Sequence, residues 1–161
     1  MRRPEADASG YLGCSRCGLS ASGSCTIRVT PMRRVAQLPA YADQREEIFE
    51  QWLTDITDIA ACPNVVAKLG GLAMPDNGFG WNTAERPPTS RQFVVAQARY
   101  YVHTIEAFGP DRCMFESNFP VDRFSMSYRT LWNGLKLIAG PYSESERDLM
   151  FRGTAATMYR L

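Results

Sequence analysis

One stretch of the sequence indicates the type of fold most clearly: Phe108-Gly-Pro-Asp-Arg-Cys-Met-Phe-Glu-Ser-Asn-Phe-Pro-Val-Asp122. Gly109 and Pro110 end a helix, because glycine tolerates the conformation that follows a helix and proline cannot continue one. The short apolar run over 112–116 predicts a buried strand. The loop over 117–123 follows directly, so this part of the chain runs from helix to strand to loop.

The same order occurs earlier in the chain. Periodic apolar residues predict a helix over 44–61, and the β-branched run 64–69, between a proline and two glycines, predicts a strand. The Gly- and Pro-rich loop 70–89 follows it. Further helices are predicted up to Phe108 with Ser90 as the cap, from Tyr128 to Gly140, after Ser143, and up to Leu161 with Thr154 as the cap. Alternating helices and strands are typical of an α/β protein with a parallel sheet, and Thr26–Thr30 is a weaker candidate for a third strand.

Composition excludes several classes of function. The net charge is +1, so no strong field attracts nucleic acid or a membrane surface, and no apolar run is long enough to span a bilayer. We therefore expect no nucleic acid and no membrane as partner. The single histidine, His103, is predicted to lie on a helix surface. A metal site built from several histidines cannot come from this chain alone.

The five cysteines indicate a cellular setting. An odd number without a recognisable signal peptide predicts reduced thiols and a cytoplasmic protein. Cys14 and Cys17 form a Cys-x-x-Cys, which is half of a zinc site or a redox pair. No second pair follows at zinc-finger spacing, so a zinc or nucleic-acid module in this segment is the weakest hypothesis.

Three stretches in this order resemble one family. They are Cys62-Pro-Asn-Val-Val-Ala-Lys-Leu-Gly-Gly71, the stretch from Phe108 to Asp122, and Phe151-Arg-Gly-Thr-Ala-Ala-Thr-Met-Tyr-Arg-Leu161. Together they resemble the C-terminal end of amidohydrolase-related (amidohydrolase 2 type) TIM-barrel hydrolases. The resemblance implies a partial (β/α)8 barrel, with 64–69 as the seventh strand and 112–116 as the eighth. It divides the chain into a C-terminal barrel part, 39–161, and a poorly ordered or non-native head, 1–38.

The resemblance also implies a site at the carboxyl ends of the strands, where TIM barrels bind substrates. Asn118, Asp122 and Glu116 are the catalytic candidates, and the substrate-binding candidates are Lys68, Trp81 and Arg86. Each has a plainer interpretation. Asn118 and Asp122 are typical of a tight turn, and Glu116 would form an ion pair on the outside of the strand. An outward-pointing Lys68 would cover a helix with its aliphatic stem, and Trp81 would anchor the loop to which it belongs.

Members of the family often bind a divalent metal such as zinc through histidines on earlier strands, which are absent here. We therefore expect no metal ligand and no cofactor in this chain. Asn118 stands where the family has an Asp that accepts a proton from metal-activated water. An amide cannot act as that base.

The resemblance implies a hydrolase that directs water at a small ester, lactone, amide or carboxylate-bearing substrate. The chain would be a C-terminal fragment that is inactive alone. The alternative is a non-catalytic partial-barrel interaction module or the product of a decaying gene. In either case unpaired barrel edges are expected to self-associate, since such edges offer free backbone groups to another chain.

Overall fold

The computed structural model of the chain describes residues 25–28 and 44–161. Three strands, β1 (Cys25–Arg28), β2 (Val65–Leu69) and β3 (Cys113–Phe115), form a parallel sheet in the order β1-β2-β3. The two main predicted strands and the weaker third candidate are therefore confirmed. β1 lies within the segment 1–38 that was predicted to be a poorly ordered or non-native head, but its four residues belong to the sheet. Residues 1–24 and 29–43 lie outside the described residues, as do Cys14 and Cys17, and the domain boundary stays a prediction.

The predicted helices are present. They are α1 (Arg45–Ala60), α2 (Ser90–Phe108), α3 (Tyr128–Ala139), α4 (Glu144–Asp148) and α5 (Thr154–Tyr159), with a π-helical turn, Leu149–Gly153, joining the last two. This α/β alternation places each of β2 and β3 directly after a helix.

Two expected helix starts differ in detail. Thr89, not Ser90, caps α2: its Oγ1 accepts a bond from the Gln92 amide, and the Gln92 side chain accepts one from the Thr89 amide at 2.9 Å. The Ser90 hydroxyl instead donates to the Thr130 carbonyl, which ties α2 to α3. Thr154 caps nothing, because the π-helical turn runs into α5 without a break; its hydroxyl donates to the Asp111 carbonyl.

The core lies on one face of the sheet. Val65, Ala67 and Leu69 of β2 are buried in a single cluster with residues from α1, α2 and α3. The alternate residues of β2, Val66 and Lys68, are only partly buried. At β2 the sheet is thus less well covered on this second face than on its helical face, although Met114 of β3, in register with Lys68, is buried. Parallel sheets in α/β domains are usually covered on both faces.

A guanidinium fastens the helices to the start of the sheet. Arg112, just before β3, donates from Nε to the Phe108 carbonyl, from Nη1 to Cys62 and from Nη2 to Ala60, each at 3.0 Å. Phe108 and Ala60 are the last residues of α2 and α1, whose terminal carbonyls lack helical partners. A cation is also favoured there by the helix dipoles. One side chain thus closes two helices at the amino-terminal end of the strands.

His103 is not the surface residue that its helical position predicted. It is half-buried between α1 and α2, with Nε2 3.1 Å from the Leu53 carbonyl and 3.3 Å from the Thr57 hydroxyl. The prediction of reduced thiols is wrong at Cys62, which is disulfide-bonded, while Cys113 is a free, buried thiol. Among the helices of the described ranges, none is long and apolar enough to cross a membrane.

Candidate functional site

The candidate site lies where β2 and β3 end. Leu69 pairs with Phe115 at the last position of the ladder, and the Glu116 amide donates to the Leu69 carbonyl at 3.1 Å. Residues 70 and 116 therefore leave the sheet side by side. This is the edge at which open and closed parallel sheets carry their ligands.

Lys68 and Glu116 form an ion pair across the two strands. The Lys68 Nζ lies 2.6 Å from Glu116 Oε2, and the side chains are 26% and 14% exposed. They meet because Lys68 is in register with Met114, and Glu116 lies two residues further along the same face. The sequence left open whether either side chain pointed outward alone. The structure joins them on the partly buried face of the sheet.

Gly70 makes room for this pair. A Cβ placed on Gly70 would overlap the Glu116 side chain and its backbone carbonyl. Only a residue without a side chain permits the two strands to come this close as they leave the sheet. The glycine after β2 is thus a condition for the position of Glu116, and not only a strand terminator.

Asn118 and Asp122 are held in one tight turn. The Asn118 Nδ2 donates to Asp122 Oδ1 at 2.8 Å, and the Asn118 carbonyl accepts from the amide of Val121 at 3.0 Å. Asn118 has a φ of 53°, in the left-handed region that asparagine tolerates better than most residues. Asp122 is buried, at 1% exposure. The turn interpretation is correct, and the same turn places a buried carboxylate at the end of β3.

Tyr101 is the residue that sequence reasoning missed. The pattern assigned it to helix packing, and it does belong to the core face of α2. Burial, followed by the charges of Asp122 and Glu116, holds the pKa of Tyr101 well above its usual range. Its hydroxyl therefore lies within the electrostatic reach of both carboxylates. Helical periodicity carries no signal of this, because it shows that a side chain points inward but not what it meets there.

Trp81 and Arg86 are not brought to these residues. The Trp81 ring stacks on Phe79 at 5.0 Å between centroids and lies 6.3 Å from Phe93, which anchors its own loop. Arg86 is exposed. In the described part of the chain neither forms a hydrogen bond, ion pair or ring contact with Lys68 or the residues after β3. Their role in binding substrate stays a prediction.

The carboxylates present do not fit a metal ion. Glu116 is engaged by an ammonium group and Asp122 by an amide hydrogen, whereas zinc needs several deprotonated ligands around one point. His103 lies between α1 and α2, among side chains and carbonyls that offer no second ligand of this kind. Within residues 25–28 and 44–161, no group of three or more His, Cys, Asp or Glu side chains is arranged to hold an ion.

Comparison with known proteins gives a consistent result. The family model described as amidohydrolase matches residues 39–161. An L-fucono-1,5-lactonase from Burkholderia multivorans is 31% identical over 126 residues, covering 76% of this chain and 40% of that protein. The uncharacterized protein y4mH of Sinorhizobium fredii is 39% identical over 113 residues, covering 70% of this chain and 34% of that protein.

The solved structures agree on the fold. A crystal structure of an amidohydrolase from Burkholderia multivorans with bound HEPES superimposes with a TM-score of 0.69 at 25% identity, over 86% of this chain and 45% of that one. A second crystal form with bound zinc gives the same TM-score at 24% identity and covers 44% of that chain. The chain therefore spans less than half the length of the relatives that it matches.

Proposed function

The chain belongs to the amidohydrolase family, and from this premise we propose that it supplies the C-terminal part of a TIM-barrel hydrolase that opens a small lactone ring. A lactone is the substrate class named for the Burkholderia relative. It is one member of the broader set of small esters, amides and carboxylate-bearing molecules implied by the sequence. Since the chain covers 40% of that relative, turnover is proposed for a complete barrel and not for this chain alone.

The one-sided core supports the partial barrel. The face of β2 that carries Val66 and Lys68 is partly exposed, and the opposite face is packed under the helices. In a closed barrel the first face would look into the interior and the helices would form the outer ring. Lys68 and Glu116 would then lie in the barrel mouth.

The Lys68–Glu116 ion pair is the observation that carries the proposal. An ammonium group held by a neighbouring carboxylate keeps further N–H donors for a ligand oxygen. In the proposed site Lys68 binds the carbonyl oxygen of the lactone, and Glu116 keeps the ammonium in place. As water attacks the carbonyl carbon, negative charge grows on that oxygen, and a nearby cation stabilises it.

Asn118 and Asp122 complete the proposed arrangement. Their mutual bond fixes the orientation of both side chains, so that they orient water or substrate at the strand end. In the overall reaction one water oxygen joins the carbonyl carbon, the ring carbon–oxygen bond breaks, and the leaving oxygen takes a proton.

Binding of a lactone by the purified chain tests the proposal. We expect addition of a sugar 1,5-lactone to shift the NMR signal of the Lys68 side-chain Cε, because its ammonium is the proposed oxygen ligand. Lys136, the other lysine of the chain, is exposed on α3 and provides the control. Lys68→Met is expected to abolish binding, whereas Lys136→Met leaves it unchanged. Equal binding by both variants would contradict the assignment of Lys68.

A second candidate function follows from the same partly exposed face of β2 and from the edges of the sheet. As a non-catalytic module, the chain would pair with another copy through these surfaces. Unpaired edges of a parallel sheet favour such association. The small-molecule role is the one that accounts for Lys68 and Glu116 lying together, and we therefore place it first.

A further inference from the structure

A buried hydroxyl lies behind the candidate site. Tyr101 of α2 is 1% exposed, and its Oη has no hydrogen-bond partner among the described residues. A phenol buried without a partner destabilises a protein by about as much as a lost hydrogen bond. Proteins commonly satisfy such groups with an ordered water that has several polar neighbours. The neighbours of Tyr101 therefore decide what its hydroxyl does.

The surroundings of Tyr101 point toward the strand ends. Its ring lies 6.4 Å from that of Phe115, the residue before Glu116, and 6.0 Å from Phe93. Burial raises the pKa of the Tyr101 phenol most, followed by the charge of Asp122 and then that of Glu116, and the raised pKa keeps the phenol protonated. The hydroxyl is therefore available as a hydrogen-bond donor.

Gln97 places an acceptor on the same face of α2. It lies one helical turn before Tyr101, a spacing at which side chains are neighbours. Gln97 is fully buried, and its Nε2 donates to the Leu72 carbonyl at 3.0 Å. Its Oε1 is buried and, within the described residues, accepts no hydrogen bond. α2 therefore presents a donor and an acceptor together, beside the chain that leaves β2.

We propose that Tyr101 is a positioning residue of the candidate site, whose hydroxyl donates to an ordered water that in turn donates to the Asp122 carboxylate and to Gln97 Oε1. In each of the three bonds a side chain supplies one group and the water supplies the other: Tyr101 donates to the water, and Asp122 and Gln97 accept from it. Asn118 holds Asp122 through Oδ1, and the water holds the same carboxylate from the side of α2. Tyr101 itself does not contact substrate. The inference rests on the proposed site at the strand ends, but its test needs no substrate.

The test compares two tyrosines that are adjacent in the chain. Tyr101→Phe removes the hydroxyl and keeps the ring. Tyr100→Phe makes the same chemical change on the side of α2 that faces α1, where Tyr100 contacts Phe49 and Trp52. The side-chain carboxyl carbon of Asp122, identified by Asp122→Asn, is titrated by NMR in each variant. Loss of a donor to the charged form raises the titration midpoint of a carboxyl, here by about 0.5 pH unit or more in Tyr101→Phe. Tyr100→Phe is expected to leave the midpoint in place.

A merely structural role would lower the melting temperature of Tyr101→Phe without moving the Asp122 midpoint, and that outcome would overturn the proposal. If Tyr101→Phe does not fold, 3-fluorotyrosine at position 101 replaces it. This more acidic phenol of nearly the same shape is a stronger donor, so the midpoint is expected to fall; an unchanged midpoint again counts against the proposal. The titration is independent of lactone binding, so this inference and the proposed function can fail separately.

Discussion

At the residue scale, the candidate site consists of two side-chain pairs, Lys68–Glu116 and Asn118–Asp122. The sequence identified the residues of each pair as candidates but not the contact between them. Glu116 and Asp122 were candidates because they lie at or after the end of a predicted strand. That Lys68 is the partner of Glu116 could not be predicted without the register between β2 and β3. Turn chemistry indicated that Asn118 and Asp122 lie in one tight turn, but not that their side chains are hydrogen-bonded to each other. Tyr101 could not be found from a one-dimensional pattern, because its meaning comes from carboxylates on other elements.

Cys113 provides a prediction at this scale. Burial raises the pKa of its thiol to about 12 from an ordinary value of 9.0, so the reactive thiolate is nearly absent near neutral pH. We expect iodoacetamide at pH 8 to leave Cys113 unmodified in the folded chain and to label it after denaturation, as measured by peptide mass mapping. Labelling of Cys113 at equal rates in both states would be inconsistent with its position in the core.

The same thiol affects stability in alkaline solution. A group whose pKa is raised in the folded state contributes its full stability below its unfolded pKa and loses it as the pH rises through the folded value. For Cys113 the loss therefore falls between about pH 9 and pH 12. Tyr101, whose pKa is also raised, adds a loss of the same sign that begins above its ordinary pKa.

At the element scale, the helices and strands could be predicted well because their signals are local. Apolar periodicity, the Gly109-Pro110 stop and the β-branched run before Gly70 identified α1, α2, β2 and β3 within a few residues. The Thr89 cap was missed although Thr89 and Gln92 have the residue types and spacing of a capping box. The hydroxyl contacts of Ser90 and Thr154 could not be predicted, because they are made with α3 and with Asp111. The attachment of the helices to the sheet was likewise invisible, since Arg112 contacts carbonyls far away in the chain.

Arg112 gives the prediction that belongs to this scale. Arg112→Lys keeps the charge but cannot reach the carbonyls of Ala60, Cys62 and Phe108 together, because an ammonium lacks the planar fork of a guanidinium. We expect the free energy of unfolding to fall by about 2–3 kcal/mol, the sum of two or three lost hydrogen bonds. Denaturant unfolding followed by circular dichroism measures it.

The control for Arg112 is Arg152→Lys. Arg152 is exposed and pairs with Asp148 one helical turn away, and such exposed pairs contribute little to stability. We expect this variant to unfold at the same denaturant concentration as the wild type. If both variants lost the same stability, the role of Arg112 in closing the two helices would be wrong.

At the scale of the whole molecule, the sheet has three parallel strands and helices packed on one face. The family resemblance predicted part of a TIM barrel; the α/β architecture with a parallel sheet agrees with it, and the barrel itself stays a prediction. The resemblance also made Trp81 and Arg86 substrate-binding candidates. In the structure the Trp81 ring packs on Phe79 of its own loop, and Arg86 is exposed. Long loops are the part of a fold whose course is least determined by local sequence.

The partly buried face of the sheet, which carries Val66 and Lys68, leads to a prediction about self-association of the chain. We expect the apparent mass of the purified chain, measured by size-exclusion chromatography with light scattering, to rise with concentration. Val66→Lys adds a charge to the partly buried face and is expected to shift the equilibrium toward monomer. Val95→Lys, at the highly exposed Val95 of α2, is the matched control and should leave association unchanged. A wild-type chain that stays monomeric at every concentration and unfolds cooperatively would contradict the prediction.

The position of Arg112 has a consequence for how such a protein can evolve. The bonds that fasten α1 and α2 gather where β2 and β3 begin, whereas Lys68, Glu116 and Asp122 gather where these strands end. Stability and the proposed chemistry are thus carried by opposite ends of the same short strands. In the proposed lactone hydrolase, mutations in the turns after the strands would then change which ring is accepted while the anchoring end continues to support the fold, so new substrates could be explored at little risk to folding.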